Sequence, residues 1–329
     1  MRYEPIPYSA AIGGFRAIMW KLASKCPIYF YNFDHIFLAL ANKTMRSPKG
    51  QKRAPTKTST THLPNAPLVE VVFELKWKLV GDESIPMPFR QDPGYLTCLD
   101  SFVPAMKDFG FPEQKRSQPD GVFTAGHSVE HRFYHHPDKR FPIIQIGPGL
   151  FAVNQSSEYV WSDYKKLCLN ALALLLSSYP KLRTYPLVPI QLELKYVDAF
   201  QPQSPVEGDL LSFLLRSTNI CVSLPDSLKS AAYGPPNSGA INFSFPIRDK
   251  KDTKFTMLVS TGVVSGVQSI ILQSSVTSAV PSNGLGLSPS VIGNRVAKWL
   301  EDAHACTSPF FKAFVKGDLL AKYKEPKLA

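Results

Sequence analysis

An α+β fold is what this 329-residue sequence predicts. Three observations predict it. From 69 to 79, Val69, Val71, Phe73, Leu75, Trp77 and Leu79 alternate with Glu70, Val72, Glu74, Lys76 and Lys78, the period of a strand with one buried face. Two later stretches repeat apolar residues at helical spacing: Leu96, Leu99, Phe102, Val103 and Met106, then Trp161, Tyr164, Cys168, Leu172 and Leu175. Clusters of Pro, Gly and Asp punctuate the intervals between them.

Taken in order, the first strand runs from Leu63 to Leu79, and Pro86, Pro88 and Pro93 mark a loop before a helix over 95–109. A second strand covers 127–136, and FPIIQIGPGLFAVN is a third, over 141–154. Pro137 and Asp138 suit the turn between them and not a ladder. Gly147 and Gly149 sit in β-like sequence and read as a bulge or sharp bend. Asn154 ends its strand and is expected to cap the next helix, over 158–178. A strand over 187–199 follows. This β-α-β-β-α-β order is that of a split βαβ, ferredoxin-like sandwich. Two helices on one face of four strands would bury every apolar stripe together. The first predicted domain is therefore 63–200.

Residues 201–329 read as an antiparallel sheet with C-terminal helices. The expected pieces are a short helix from Leu210 to Leu215, strands at Ile220–Leu224 and in INFSFPI, and two longer strands joined through Ser265 and Gly266. RDKKDTK, 248–254, is a solvated hairpin turn. Ser288 and Pro289 begin one helix and Ser308 and Pro309 begin another, each a capping residue followed by a proline suited to the first turn.

The formal charge of +11 does not belong to this body. Residues 1–62 hold ten Lys and Arg against two acids, and the remaining 267 residues hold 27 against 24. The leader is basic and is expected to be flexible, because 43–62 is rich in Lys, Pro, Ser and Thr with little to bury. Charged residues interrupt its apolar stretch, so no transmembrane span is expected. The five cysteines form no CxxC pair, and a reducing cytoplasm is the expected compartment.

The densest polar signal is HRFYHHPDKR, 131–140; with His127 it gathers four histidines into ten residues. On an extended strand, residues four apart lie roughly 13 Å from one another. Zn–N bonds are only about 2 Å, so one ion cannot bridge His127 and His131, and no metal site is expected. The catalytic candidates are Glu130, His131 and His135. The ligand-binding candidates are Arg132, Tyr134, His136, Lys139 and Arg140, a basic and aromatic group suited to phosphate or to a stacked base. No phosphate-loop, dinucleotide, nucleophile-elbow or kinase signature occurs, and no cofactor is expected.

LPNAPLVEVVFEL at the start of the body and IQIGPGLFAVN further on form an ordered signature, joined by YVWSDY, LELKYVDAF and WLEDAHACTSPFFKAFV. Over about 63–323 the chain resembles a sporadically distributed bacterial family of uncharacterised proteins. The resemblance rests on Asn65, Ala66, Pro67, Glu70, Phe73, Gly147, Pro148, Gly149, Asn154, Tyr159 and Trp161. Tyr196, His304 and Phe311 occupy further matching positions. The leader departs from that family, whose members begin near the LPNAP segment. The resemblance implies no catalytic residues. The patchy bacterial distribution of such proteins suggests a defence or toxin-related module. The expected function is that of a non-catalytic accessory or interaction protein. Its partners would be another protein or a second copy, with nucleic acid reached through the basic segment 43–57. The alternative is a nucleic-acid-binding protein or nucleic-acid-processing enzyme.

Overall fold

The computed structural model describes residues 67–317, 319 and 321, apart from 82–85, 87–88, 118, 120–123, 157–158, 182–185, 202–208, 233, 235, 237, 249 and 282–287. The leader, with its basic segment 43–57, lies outside the described residues, as do Asn65 and Ala66.

The described strands are β1 (Leu68–Trp77), β2 (Glu113–Arg116), β3 (His131–Tyr134), β4 (Ile143–Gly147), β5 (Leu150–Gln155), β6 (Pro189–Phe200), β7 (Ala240–Pro246), β8 (Thr253–Val264) and β9 (Val267–Ala279). The helices are α1 (Tyr95–Asp108), α2 (Trp161–Ser178), α3 (Leu210–Ser217), α4 (Asp226–Ala231) and α5 (Pro289–Phe314). All nine strands join one sheet in the order β2-β3-β4-β5-β1-β6-β9-β8-β7, and every neighbouring pair is antiparallel.

The alternation read in the sequence sets the two faces. One cross-strand row runs Gln114, Phe133, Ile144, Val153, Phe73, Leu194, Val276, Phe255 and Phe245. The three long helices pack on this row. Phe102 of α1 meets Phe133 edge-on at 5.6 Å, and Tyr164 of α2 donates to the Val153 carbonyl at 2.9 Å. From α5, Trp299 lies 6.3 Å from Phe73 and Phe310 stacks on Phe255 at 3.9 Å. Phe73, Phe133 and Phe255 are almost fully buried; each such side chain contributes about 2–3 kcal/mol by leaving water.

The next row runs Lys115, Arg132, Gln145, Ala152, Glu74, Glu193, Thr277, Lys254 and Pro246 on the other face. No described helix packs against it through the contacts above; Ala152, with Val72, Ile143 and Leu150 on the same face, is buried, while the row is half-buried to exposed from Glu193 and Thr277 to Lys254. The result is a two-layer α+β arrangement, as the alternation and helical stripes predict. No described helix is long and apolar enough to cross a membrane.

Several expectations are corrected. The division at 200 and 201 falls inside one sheet, because β6 pairs with β9 from Gln191–Ala279 to Phe200–Ile270; the described residues on both sides of it belong to one compact unit. An unpredicted edge strand, β2, pairs with β3. The expected third strand is two: Pro148 and Gly149 are the central residues of a tight hairpin turn between β4 and β5, with Gly149 at φ 75°. Glycine suits that position because a left-handed φ costs it nothing. The expected strand over 127–136 shrinks to 131–134, since His127 has φ 60°. Ile220–Leu224 is not a strand.

The second C-terminal helix start is also absent. α5 continues through Pro309 to Phe314, anchored by Phe310 on Phe255 and by buried Phe314. Proline removes one backbone donor from a helix, and this aromatic packing offsets that loss. Other signals hold. Ser288 caps α5 by accepting from Val291, and Ser265 (φ 52°) with Gly266 (φ 80°) closes the β8–β9 hairpin.

Candidate functional site

The strip around 131–140 does not converge. Glu130 is buried and accepts from the Arg116 guanidinium through Nε at 3.0 Å and Nη2 at 2.7 Å. His131 lies beside it, Nε2 to Oε1 3.7 Å, while its Nδ1 is 2.8 Å from Gln114 Nε2. Burial lowers the His131 pKa, and the Glu130 charge opposes that shift. The Tyr95 hydroxyl is buried near Glu130 but in no hydrogen-bond geometry with it; burial first, then the Glu130 charge, holds its pKa above the ordinary tyrosine value. Glu130 and His131 thus come together. His135 does not join them: its Nδ1 meets the Gly110 carbonyl and its ring lies edge-on to Phe111.

The ligand-binding candidates also separate. Arg132 and Tyr134 lie on the open face, where Lys115 sits 5.2 Å from the Tyr134 ring centre. His136 is exposed and pairs with Asp138 at 3.6 Å. Lys139 and Arg140 are exposed in the turn, with Arg140 5.5 Å from the Phe141 ring. His127 Nε2 lies 2.9 Å from the Trp77 carbonyl. Among the described residues, no group of three His, Cys, Asp or Glu side chains is arranged to hold a metal ion.

Three polar clusters that spacing alone did not signal lie elsewhere. Asp92 collects four donors: Trp77 Nε1 at 2.8 Å and Gly149 N at 3.0 Å on Oδ2, Tyr179 hydroxyl at 2.6 Å and Gly94 N at 3.1 Å on Oδ1. One carboxylate thus ties the end of β1, the β4–β5 turn, the start of α1 and the end of α2. On the open face, Asn154 donates to Glu70 at 2.6 Å and accepts from Gln145 at 2.9 Å. Asn154 is an interior residue of β5 opposite Val72 and Ile143, so the expected helix-capping role is corrected.

The third cluster lies where α2, β6 and α5 meet. The Tyr159 and Tyr196 hydroxyls are 3.0 Å apart, and the Tyr196 hydroxyl is 2.8 Å from His304 Nδ1. The His304 ring stacks on Trp161 with centres 4.0 Å apart and planes 11° apart. Trp161 Nε1 and Lys165 Nζ both donate to Glu301. Glu70 and Asn154 thus meet on one face of the sheet, and Tyr159, Trp161, Tyr196 and His304 on the other, joined by hydrogen bonds and by the Trp161–His304 stack.

No family model, curated protein or solved structure matches the chain. The chemistry of these clusters is read from their geometry alone. The third set is a structural network around a half-buried histidine. Burial lowers the His304 pKa to about 4 against the Glu301 charge. Asp198, two residues beyond Tyr196 on the same face of β6, is buried, and burial alone raises its pKa to about 7.

These shifts act in opposite senses. An unfolded histidine binds its proton near 6.5, so the stability from a neutral His304 is present above that pH and is lost as pH falls toward 4. An unfolded aspartate ionises near 3.8, so the fold gains from a protonated Asp198 below that pH and loses the gain as pH rises through about 7. Asp198→Asn is expected to stabilise the protein by roughly 2–4 kcal/mol at pH 8 and to change little below pH 4. Urea-unfolding midpoints at the two pH values check this. An Asn variant no more stable than the parent at pH 8 would show that the buried carboxylate ionises at no cost.

Proposed function

We propose that this chain is a non-catalytic interaction protein serving a bacterial defence or toxin-related module in a reducing cytoplasm. The observation that carries the reading is the commitment of its polar side chains to the scaffold. Glu130 is taken up by Arg116, His127 by a backbone carbonyl and His135 by another, while Asp92 holds four donors. A general acid or base needs a lone pair or proton within reach of a substrate; Glu130 is committed to Arg116 and Asp92 to its four donors, and each of these histidines is fixed to the scaffold through one ring nitrogen. What remains open is surface: the stretch of the sheet from Glu193 and Thr277 to Lys254, on the face against which no described helix packs. The thiols of Cys98, Cys168, Cys221 and Cys306 are free, in keeping with a reducing compartment. The crossovers β1-α1-β2 and β5-α2-β6 support reading the first half as a split βαβ sheet widened by the β3–β4 pair.

A second reading has one specific observation behind it. Lys115, Arg132 and Tyr134 form a small basic and aromatic platform near the β2 edge, the kind on which an unpaired base stacks. A photo-cross-linking residue at Thr277 or Tyr134 of the full chain, in the cells it comes from, separates the two. A discrete protein adduct from Thr277, absent when the probe replaces Lys166 on α2, is the expected result. Nucleic-acid adducts at Tyr134 with no protein adduct at Thr277 would transfer the function to the second reading. No adduct at either position would remove both.

A further inference from the structure

The two outer strands of the sheet differ in kind. β2 is four residues long and reads Glu-Gln-Lys-Arg, three of them charged. Short, charged edges are how sheets avoid adding further strands. β7 reads Ala-Ile-Asn-Phe-Ser-Phe-Pro, seven residues without a charge. Its inward bonds follow from the flanking pairs: Ile247 N donates to the Thr253 carbonyl and Thr261 N donates to the Gly239 carbonyl. With that phase, Ile241, Phe243 and Phe245 bond toward β8, and Ala240, Asn242 and Ser244 turn their N–H groups outward. Pro246 turns only a carbonyl outward. All four outward residues are exposed.

We propose that β7 pairs antiparallel with β7 of a second copy of this chain, joining the two sheets edge to edge across a two-fold axis at Phe243. The inference goes beyond the interaction reading above: it concerns the edge of the sheet, not its open face. The sequence of β7 is self-complementary in this register and mismatched in its neighbours. Phe243 faces its own copy, Ile241 faces Phe245, and Asn242 faces Ser244. The apolar side chains of both strands therefore stay on the helix-bearing face and the polar ones on the open face. A one-residue slip would place apolar against polar side chains and turn one copy over.

The backbone groups fit as well. Asn242 and the second copy's Ser244 exchange N–H to carbonyl bonds in both directions. Ala240 N–H reaches the carbonyl of the second copy's Pro246, and the Ala240 carbonyl, opposite the missing proline donor, is left to water at the end of the ladder. Phe243 is a close-facing pair without backbone bonds, which brings the two rings into contact. Such a contact is isologous: one patch serves both partners.

The test is a charge exchange on exposed side chains that leaves the bonds to β8 alone. Light scattering after size exclusion of the full chain is expected to give twice the 36.6 kDa chain mass. N242D/S244D and N242K/S244K, each alone, are expected to run as monomers, because like charges then face one another across the axis. Mixed together they are expected to recover the dimer, since each Asp meets a Lys. A wild-type chain that stays monomeric overturns the proposal. So does a dimer that both charged variants leave intact, or a mixture that fails to reassociate while each variant keeps the parent's circular dichroism. A monomeric result leaves a protein adduct on the open face unaffected, so the two readings fail separately.

Discussion

Asp92→Asn is expected to destabilise the protein by about 3–5 kcal/mol, although it changes one atom and no volume, because buried donors left without acceptors each cost about 1–3 kcal/mol. The carboxylate divides its work evenly. Oδ2 serves Trp77 Nε1 and Gly149 N, and Oδ1 serves the Tyr179 hydroxyl and Gly94 N. An amide keeps one acceptor oxygen and turns donors toward the other two groups. Turned one way, the amide orphans Gly149 N and the Trp77 indole, fully buried against Tyr179 at 5.9 Å; turned the other, it orphans Gly94 N and forces the Tyr179 hydroxyl to accept instead of donate. Gly94 leaves no slack, since a Cβ there would lie 2.5 Å from the Tyr179 ring. Urea denaturation followed by Trp fluorescence measures the loss. A midpoint within experimental error of the parent would mean that the four contacts are incidental to stability.

How much of this was legible in the sequence depends on the range of the interaction. Period-two alternation marks a strand because one face leaves water, and Val71 to Trp77, Leu192 to Phe200 and Ile241 to Phe245 all lie where alternation puts them. Helical stripes at Phe102 and Met106, and at Cys168, Leu172 and Leu175, are buried for the same reason. Short elements escaped. Glu-Gln-Lys-Arg has no alternation to see, and β2 exists because β3 offers it an edge.

The polar clusters escaped for another reason. Asp92 sits in an Asp-Pro-Gly run that reads as an ordinary turn, and three of its four partners lie 15, 57 and 87 positions away. Asn154 reads as a cap because a helix follows, yet Gln155 extends the strand and its amide is needed by Glu70, 84 positions earlier. Contacts closed by tertiary packing leave no local period. Signature positions named through resemblance, such as Tyr159, Tyr196 and His304, were the one route to the third cluster, and even they carried no hint of mutual contact.

Gly147→Ala is expected to cost about 3 kcal/mol or more, in the range that overpacking and backbone displacement produce. The reason differs from that at Gly149, whose φ of 75° demands a glycine on conformational grounds. Gly147 has no such conformation. A Cβ at that position would lie 1.8 Å from the Ser128 carbonyl oxygen and 3.2 Å from the Glu130 backbone nitrogen. Both neighbours are backbone, so no rotamer change relieves the overlap. Segment 128–130 is itself held in place, because Glu130 N donates to the Ile146 carbonyl at 3.0 Å and His127 N to the Pro148 carbonyl at 2.7 Å. Relief therefore requires the loop to lift off β4, breaking those bonds and loosening Glu130 from Arg116. Gly149→Ala meets side chains instead, His127 and Leu79 at 2.6 Å, which can turn aside at the cost of the His127 bond to Trp77. Thermal unfolding of the two variants side by side separates the causes. Gly147→Ala should lose more, and its loss should not shrink when His127→Ala is added, whereas the loss at Gly149 should. Equal relief at both positions would mean that the carbonyl of Ser128 yields freely and that the closeness at Gly147 places no demand on the residue.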